Sequence, residues 1–251
     1  MLKIQIHNKL IENFSGVACI NVDNTTAYLR KLYEYENDNR KVFNIGGNEI
    51  SIEDFMIISP LTTLDSLYSF TNKNILNKII GEHNLDTDKL INKNYLQNIA
   101  NKVNKKIGYD LVNINESTSK LFKSMFDIKT KEFITSSLLY SFLRNISQAE
   151  KQNIIIKDMD DISLSLLTEF SNDFNIIVMT NNSFNIIKSS SEVLLTNFVD
   201  ENLYTLKNID NENVFEYFIE EYFQKPFDNV NHELIYTKET MENMKKALFL
   251  K

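Results

Sequence analysis

The chain has 251 residues, 43% of them hydrophobic, with 17 Phe and 11 Tyr, which is enough for one large packed domain or one domain carrying an inserted lobe. Its single cysteine, Cys19, excludes an internal disulfide framework and a cysteine metal cluster. The net charge of −7 conceals an uneven spread: residues 72–150 carry 12 Lys+Arg against 8 Asp+Glu, a local +4, while the flanks together stand at −11. A basic insert in an acidic protein points to one surface that meets a polyanion.

In chain order, LKIQI (2–6) alternates as a strand, and VACINV (17–22) reads as a short buried strand with Cys19 a core thiol. Asp23, Asn24, Thr25 and Thr26 are N-cap types, and the apolar spacing from Ala27 to Tyr35 predicts an amphipathic helix to about residue 37. VFNI (42–45), Gly46-Gly47-Asn48 and EISI (49–52) predict a β-hairpin, and FMII (55–58) a further strand before Pro60. The character then changes. Residues 73–83, 89–106, 115–126 and 131–149 show helical spacing, with Leu90, Ile91, Leu96, Ile99, Val103 and Ile107 forming a stripe in the second. Strand signals return at NIIIKD (153–158), a helix is expected at 162–172, and NIIVMT (175–180) is the next strand. VLLTNF (193–198) and LYTLK (203–207) read as a final strand pair, followed by helices at 212–223 and 238–249.

This order predicts a discontinuous α/β core over 1–71 and 151–208, a lysine-rich helical lobe over 72–150 and a helical extension over 209–251. The opening MLKIQIHNKL lacks the apolar centre of a signal peptide, and no stretch approaches the ~20 apolar residues of a membrane span. A cytoplasmic protein is therefore expected.

The strand–turn–helix at 17–37 sits where a nucleotide-binding protein places its phosphate loop. Such a loop needs glycines so that backbone N–H groups reach the phosphates, and a Lys followed by Ser or Thr. The turn here, Val22 to Thr26, has neither glycine nor lysine, and Asp23 would repel phosphate. NIIIKDMDD (153–161) resembles an apolar strand ending in magnesium-holding acids, but without a phosphate loop it reads as a strand end with Asp158, Asp160 or Asp161 capping the following helix. No nucleotide cofactor and no enzymatic activity are expected. His7, His83 and His232 lie far apart in sequence and read as surface or packing residues.

Within the basic region, Lys102, Lys105 and Lys106 cluster on one expected helix and Lys120 and Lys123 lie a turn apart on the next. A solvated helix face is the plain reading. A symmetric oligomer that turned several copies of this face onto one hole would instead bind a phosphate backbone without regard to sequence. The aromatic residues sit at core spacing, which favours duplex over single-strand binding. Asp110 and Glu116 flank an inter-helix loop and are the candidate calcium ligands, with helix capping as the alternative.

Several strings carry a family resemblance. INVDNTTAYLRKLYEYEND (20–38), FMIISPLTTLDSLYSF (55–70), SKLFKSMFDIKT (119–130), and QNIIIKDMDDISLSLLTEFSNDFNIIVMTNN followed by VLLTNFVDENLYTLKN are similar, in order and pattern, to the accessory spacer-acquisition protein of type II-A CRISPR systems. The likeness spans about residues 1–208. It implies a degenerate P-loop-NTPase-like α/β core with an inserted helical lobe and a homotetrameric ring with a lysine-lined hole. It also implies sequence-independent binding of double-stranded DNA ends, and partnership with the CRISPR integrase pair and effector nuclease. It implies no catalytic activity, and in many members Ca²⁺ held by an acid-rich lobe loop. The matching loop here, IGYDLVNINES (107–117), has only Asp110 and Glu116 as carboxylates, and residues 209–251 extend past the short members, so a divergent, longer subgroup is expected. The rival readings are a protein-interaction scaffold of the same machinery without DNA binding, and a divergent P-loop ATPase.

Overall fold

Apolar runs without polar alternation demand cover on both faces, and VACIN, the isoleucines 154–156 of QNIIIK, and FNIIVMT receive it. A computed structural model of the chain describes residues 1–68, 92–108, 110, 113, 131–145, 151–200, 202 and 204–250. In chain order its elements are β1 (Leu2–Ile4), β2 (Lys9–Ile11), β3 (Val17–Asn21), α1 (Thr25–Glu36), β4 (Phe43–Ile45), β5 (Asn48–Ile50), β6 (Phe55–Ile58), α2 (Leu64–Leu67), α3 (Lys93–Ile107), α4 (Ser136–Asn145), β7 (Gln152–Lys157), α5 (Leu164–Thr168), β8 (Phe174–Thr180), α6 (Ser183–Ile186), α7 (Ser190–Leu194), β9 (Thr196–Asp200), β10 (Thr205–Asn208), α8 (Glu212–Phe223), α9 (His232–Ile235) and α10 (Lys238–Phe249). The fold is mixed α/β.

The chain divides into two compact units, Met1–Leu61 with Ile134–Lys251, and Thr62–Phe133. In the first, a six-stranded sheet has the order β10-β9-β3-β8-β7-β6. Only the β9–β10 pair is antiparallel; β3 pairs in parallel with β8 through Val17↔Ile176 to Asn21↔Thr180, and with β9 through Cys19↔Thr196 to Asn21↔Phe198. A smaller antiparallel sheet, β2-β1-β4-β5, completes this unit's strands.

Alternation along the strands separates two cores. Ala18, Ile20, Ile155, Ile177, Met179 and Val199 pack in one cluster with Leu2, Ile4 and Phe43 of the small sheet and with Tyr28 and Leu32 of α1. Their strand neighbours Val17, Cys19, Ile154, Ile156, Ile176, Val178 and Phe198 are equally buried and point the other way. On that side α5 packs on β3. α4 belongs to this unit because Leu139, Phe142 and Leu143 are buried, Tyr140 stacks on Phe170, and its hydroxyl accepts from the Ser163 amide at 2.7 Å. The sequence pattern placed this helix in the lysine-rich lobe.

His7 fastens the small sheet to the large one. Its Nε2 lies 2.9 Å from the Tyr28 hydroxyl and its Nδ1 2.8 Å from the Tyr204 carbonyl, and burial lowers its pKa.

The expected strand at 193–198 is displaced. Ser189 caps α7 by accepting from the Glu192 amide, so Val193 and Leu194 are helical and the strand begins at Thr196. The buried Glu192 carboxylate holds this geometry by accepting from the Ser165 amide at 2.9 Å and the Lys188 amide at 2.6 Å. β2 was not anticipated, because KLI is too short to show a period. The expected helices at 73–83 and 115–126 lie outside the described residues.

In the second unit, the Leu64 amide donates to the Glu132 carbonyl at 2.9 Å and Thr63 bridges Phe133, so the chain enters and leaves side by side. Asn92 caps α3 by accepting from the Tyr95 amide, and Gly108 ends it in the left-handed region at φ 84°. Leu96, Ile99 and Val103, expected as an inner stripe, are 38%, 41% and 36% exposed.

Gly16 leads into β3 at φ +100°, and a Cβ there would stand 2.8 Å from Ser171 Cβ and 2.9 Å from its carbonyl oxygen. Its own carbonyl accepts from the Ile176 amide at 2.7 Å, so the backbone has little room to retreat. Gly16→Ala is expected to destabilise the protein by about 2–4 kcal/mol through combined strain and overlap, read as a lower urea midpoint.

Candidate functional site

In an open parallel sheet, ligands bind outside the carboxyl ends of the strands. Here β3, β7 and β8 end on the same edge and deliver Asn21 to Thr25, Lys157 to Asp160, and Thr180 to Ser183. The arrangement places Thr25, the first residue of α1, against Asp158 at the end of β7. Thr25 Oγ1 donates to Asp158 Oδ2 at 2.9 Å, and the Lys157 ammonium pairs with that same oxygen. Asp158 itself sits at φ 56° with its amide on the Met179 carbonyl.

Asp160 is held from the other side. Thr180 Oγ1 donates to Oδ1 at 3.1 Å and Asn182 Nδ2 to Oδ2 at 2.8 Å. Asn21 Nδ2 donates to Ser183 Oγ at 2.9 Å, and Lys245 of α10 pairs with Asp23. Asn24 Oδ1 accepts from the Ala27 amide at 2.9 Å and so caps α1. These acids therefore do not cap the next helix as expected from the sequence. Ser163 caps α5 by accepting from the Leu166 amide, and Asp158 and Asp160 instead tie strand ends together.

Chemically, this edge has the acids of a magnesium site but spends them internally. A hydroxyl and an ammonium converge on Asp158, where a nucleotide site would present a metal, and the turn after β3 offers neither glycine nor lysine to phosphate. Thr25, Lys157, Thr180, Asn182 and Lys245 were missed at the sequence level. Only the adjacency of Lys157 to Asp158 could have signalled any of them.

The lysines are placed differently. Lys102, Lys105 and Lys106 are all exposed and, at ~100° per residue, share an arc of roughly 100° on α3. Lys105 and Lys106 occupy the last turn, where they also complement the helix dipole. Lys120, Lys123 and Glu116 lie outside the described residues. Asp110 is exposed, and its Oδ1 accepts from Asn104 Nδ2 at 2.7 Å. Ca²⁺ takes ~6–8 oxygens, and among the described residues no three His, Cys, Asp or Glu side chains group so as to hold a metal.

No protein-family profile and no curated protein matches the chain. Among solved structures it is similar to the crystal structure of Stu0660 of Streptococcus thermophilus, with a TM-score of 0.51 and 13% identity over 84% of this chain and 76% of that one. At this identity the likeness establishes a shared fold. Among the described residues, no helix is long and apolar enough to cross a membrane.

Cys19, at the centre of β3, is fully buried. Burial pushes its thiol up to about 12, the Thr196 hydrogen bond offsets part of the rise, and the Glu192 charge adds to it. The unfolded thiol loses its proton near its ordinary value of 9.0, so the stability tied to the neutral thiol is complete below that pH and declines as pH rises toward about 12. The folded protein is expected to resist a thiol-specific disulfide reagent at about pH 8 and to react fully in denaturant, and Cys19→Ala should flatten the alkaline loss of stability.

Proposed function

We propose that this protein is a non-catalytic, double-stranded DNA-binding protein that engages DNA ends without sequence preference and works in CRISPR spacer acquisition. The observation that carries the reading is the exposed arc of Lys102, Lys105 and Lys106 on α3, inside the basic part of an otherwise acidic chain. Lysines on one helix face contact phosphates as point charges and read no bases. The internally satisfied sheet edge supports the rest: a degenerate P-loop-NTPase-like core in which Lys157 and Thr25 occupy Asp158 has no use for a nucleotide.

A single copy carries only a local +4, so the proposal includes a homotetrameric ring that turns the lysines of several copies, with Lys120 and Lys123, onto a common hole. The resemblance of residues 1–208 to the type II-A adaptation family supports the ring and the integrase pair and effector nuclease as partners, and the cytoplasmic setting rests on the sequence reading alone. A scaffold role in the same machinery is the second reading, favoured by an uncovered apolar groove in the C-terminal extension.

Binding to linear and covalently closed circular DNA of one sequence, at two salt concentrations and with oligomer mass measured in parallel, tests the proposal. Tight, salt-sensitive binding to linear DNA alone by a tetramer is expected. Equal binding to both forms would replace the ring with a surface groove, and binding to neither would leave the scaffold reading. Lys102→Ala/Lys105→Ala/Lys106→Ala is expected to weaken binding equally across sequences and to make the log K against log salt slope shallower by about 2–3 for each copy of the chain whose lysines contact the DNA. Unchanged binding would remove α3 from the interface.

A further inference from the structure

His7 stands where three parts of the larger unit meet: the turn between β1 and β2 on which it lies, Tyr28 of α1, and Tyr204 at the entry to β10. Its ring stacks on that of Tyr28 with the centroids 5.7 Å apart. The hydrogen bonds fix where its proton sits. The Tyr204 carbonyl can only accept, so Nδ1 carries the proton, and in the neutral ring Nε2 is then an acceptor for the Tyr28 hydroxyl. Both nitrogens are used, one as donor and one as acceptor, and only the neutral imidazole offers that pair.

Tyr204 adds an independent observation. A bulky residue at φ 48° lies in the left-handed region, a conformation that persists only where the surroundings hold it. Here His7 holds its carbonyl, and the Lys31 ammonium stands 5.6 Å from the centre of its ring. The charged groups on the elements around the imidazole are mostly engaged elsewhere. Glu49 of the small sheet takes Gln5 Nε2 at 3.5 Å, Lys31 of α1 also pairs with Glu34, Asp200 of β9 accepts from the Asn202 amide, and Lys207 of β10 donates to the Leu248 carbonyl. The small sheet otherwise carries Lys3 and Lys9, of the same sign as an imidazolium. Among the described residues no ion pair involves His7, so a proton added to its ring would be partly buried and uncompensated.

We propose that His7 is a pH-sensitive clasp whose protonation frees the small sheet and Tyr204 from α1 while the parallel strands stay paired. Protonation turns Nε2 from an acceptor into a donor and obliges the Tyr28 hydroxyl to point its own proton away from the ring. It also places a charge where burial disfavours one, which is why the His7 pKa lies below its ordinary 6.5. The contribution of the clasp is therefore complete above pH 6.5 and is lost as pH falls through the folded value. Release of the Tyr204 carbonyl lets its left-handed backbone relax in the same step, so charge and backbone favour opening together. The opening is local, because β3, β7 and β8 are each paired on both edges and contain no histidine. The clasp uses none of the lysines assigned to DNA, so it stands or falls separately from the DNA reading.

The test uses the full chain with isotope-labelled histidine, the His7 signal being identified by its loss in His7→Asn. Nitrogen chemical shifts are expected to show the Nδ1–H tautomer at neutral pH and a titration midpoint below the ordinary 6.5. Hydrogen exchange, corrected for its intrinsic pH dependence, is expected to quicken by about threefold or more at the amides of β1 and β4 when pH falls from about 7.5 to about 5.5, and to hold steady at those of β3 and β8. His7→Asn keeps a donor near the Tyr204 carbonyl and His7→Gln an acceptor near the Tyr28 hydroxyl, and neither titrates in this range. Each variant should therefore exchange at one rate at both pH values, whether that rate is slow or fast. A midpoint at or above 6.5, the Nε2–H tautomer, no acceleration, acceleration that persists in either variant, or acceleration shared by β3 and β8 would overturn the proposal.

Discussion

Strand β3 is gripped on both edges by strands from the far end of the chain, β8 on one side and β9 on the other. Parallel pairing on both edges leaves its side chains nowhere to go but into two cores, and all five residues are buried. Everything else in the larger unit follows from covering those two faces. The small antiparallel sheet and α1 close one, and helices including α5 close the other. Gly16 exists because the chain must pass close under Ser171 to reach this slot.

The same pairing decides what the sheet's carboxyl edge can do. Registering β3 against β8 brings α1's first turn onto the end of β7, and the polar groups that meet there are complementary to one another. Two hydroxyls, an ammonium and a side-chain amide satisfy two partly buried aspartates whose desolvation would otherwise be costly. These contacts tie the ends of β7 and β8 to the first turn of α1 and to the loop after β8.

Much of this architecture was readable from the chain. The apolar runs marked β3, β6, β7 and β8, and the 3.6-residue spacing gave α1, α8 and α10 nearly to the residue. What escaped notice depended on distant partners. Val193 and Leu194 look like strand residues until a buried Glu192, taking amides from 165 and 188, fixes a helix there. The 3-residue β2 has no period to detect. The lysine arc was legible because helix geometry makes neighbours of residues three and four apart. The Lys157–Asp158–Thr25 contact was only half so, because Thr25 reaches it across 133 positions of sequence.

The placement of β3 also has a consequence for synthesis. Its two edges stay open until the segments that become β8 and β9 have left the ribosome, and at ~5–20 residues per second that interval is on the order of ten seconds or more. During that time the nascent chain carries Val17–Asn21 with unpaired backbone on both sides and a hydrophobic surface on both faces. The inserted unit, whose two ends meet at Thr63 and Phe133, is synthesised before either neighbour of β3. Translation order therefore leaves β3 without either neighbour until the segments that become β8 and β9 have emerged.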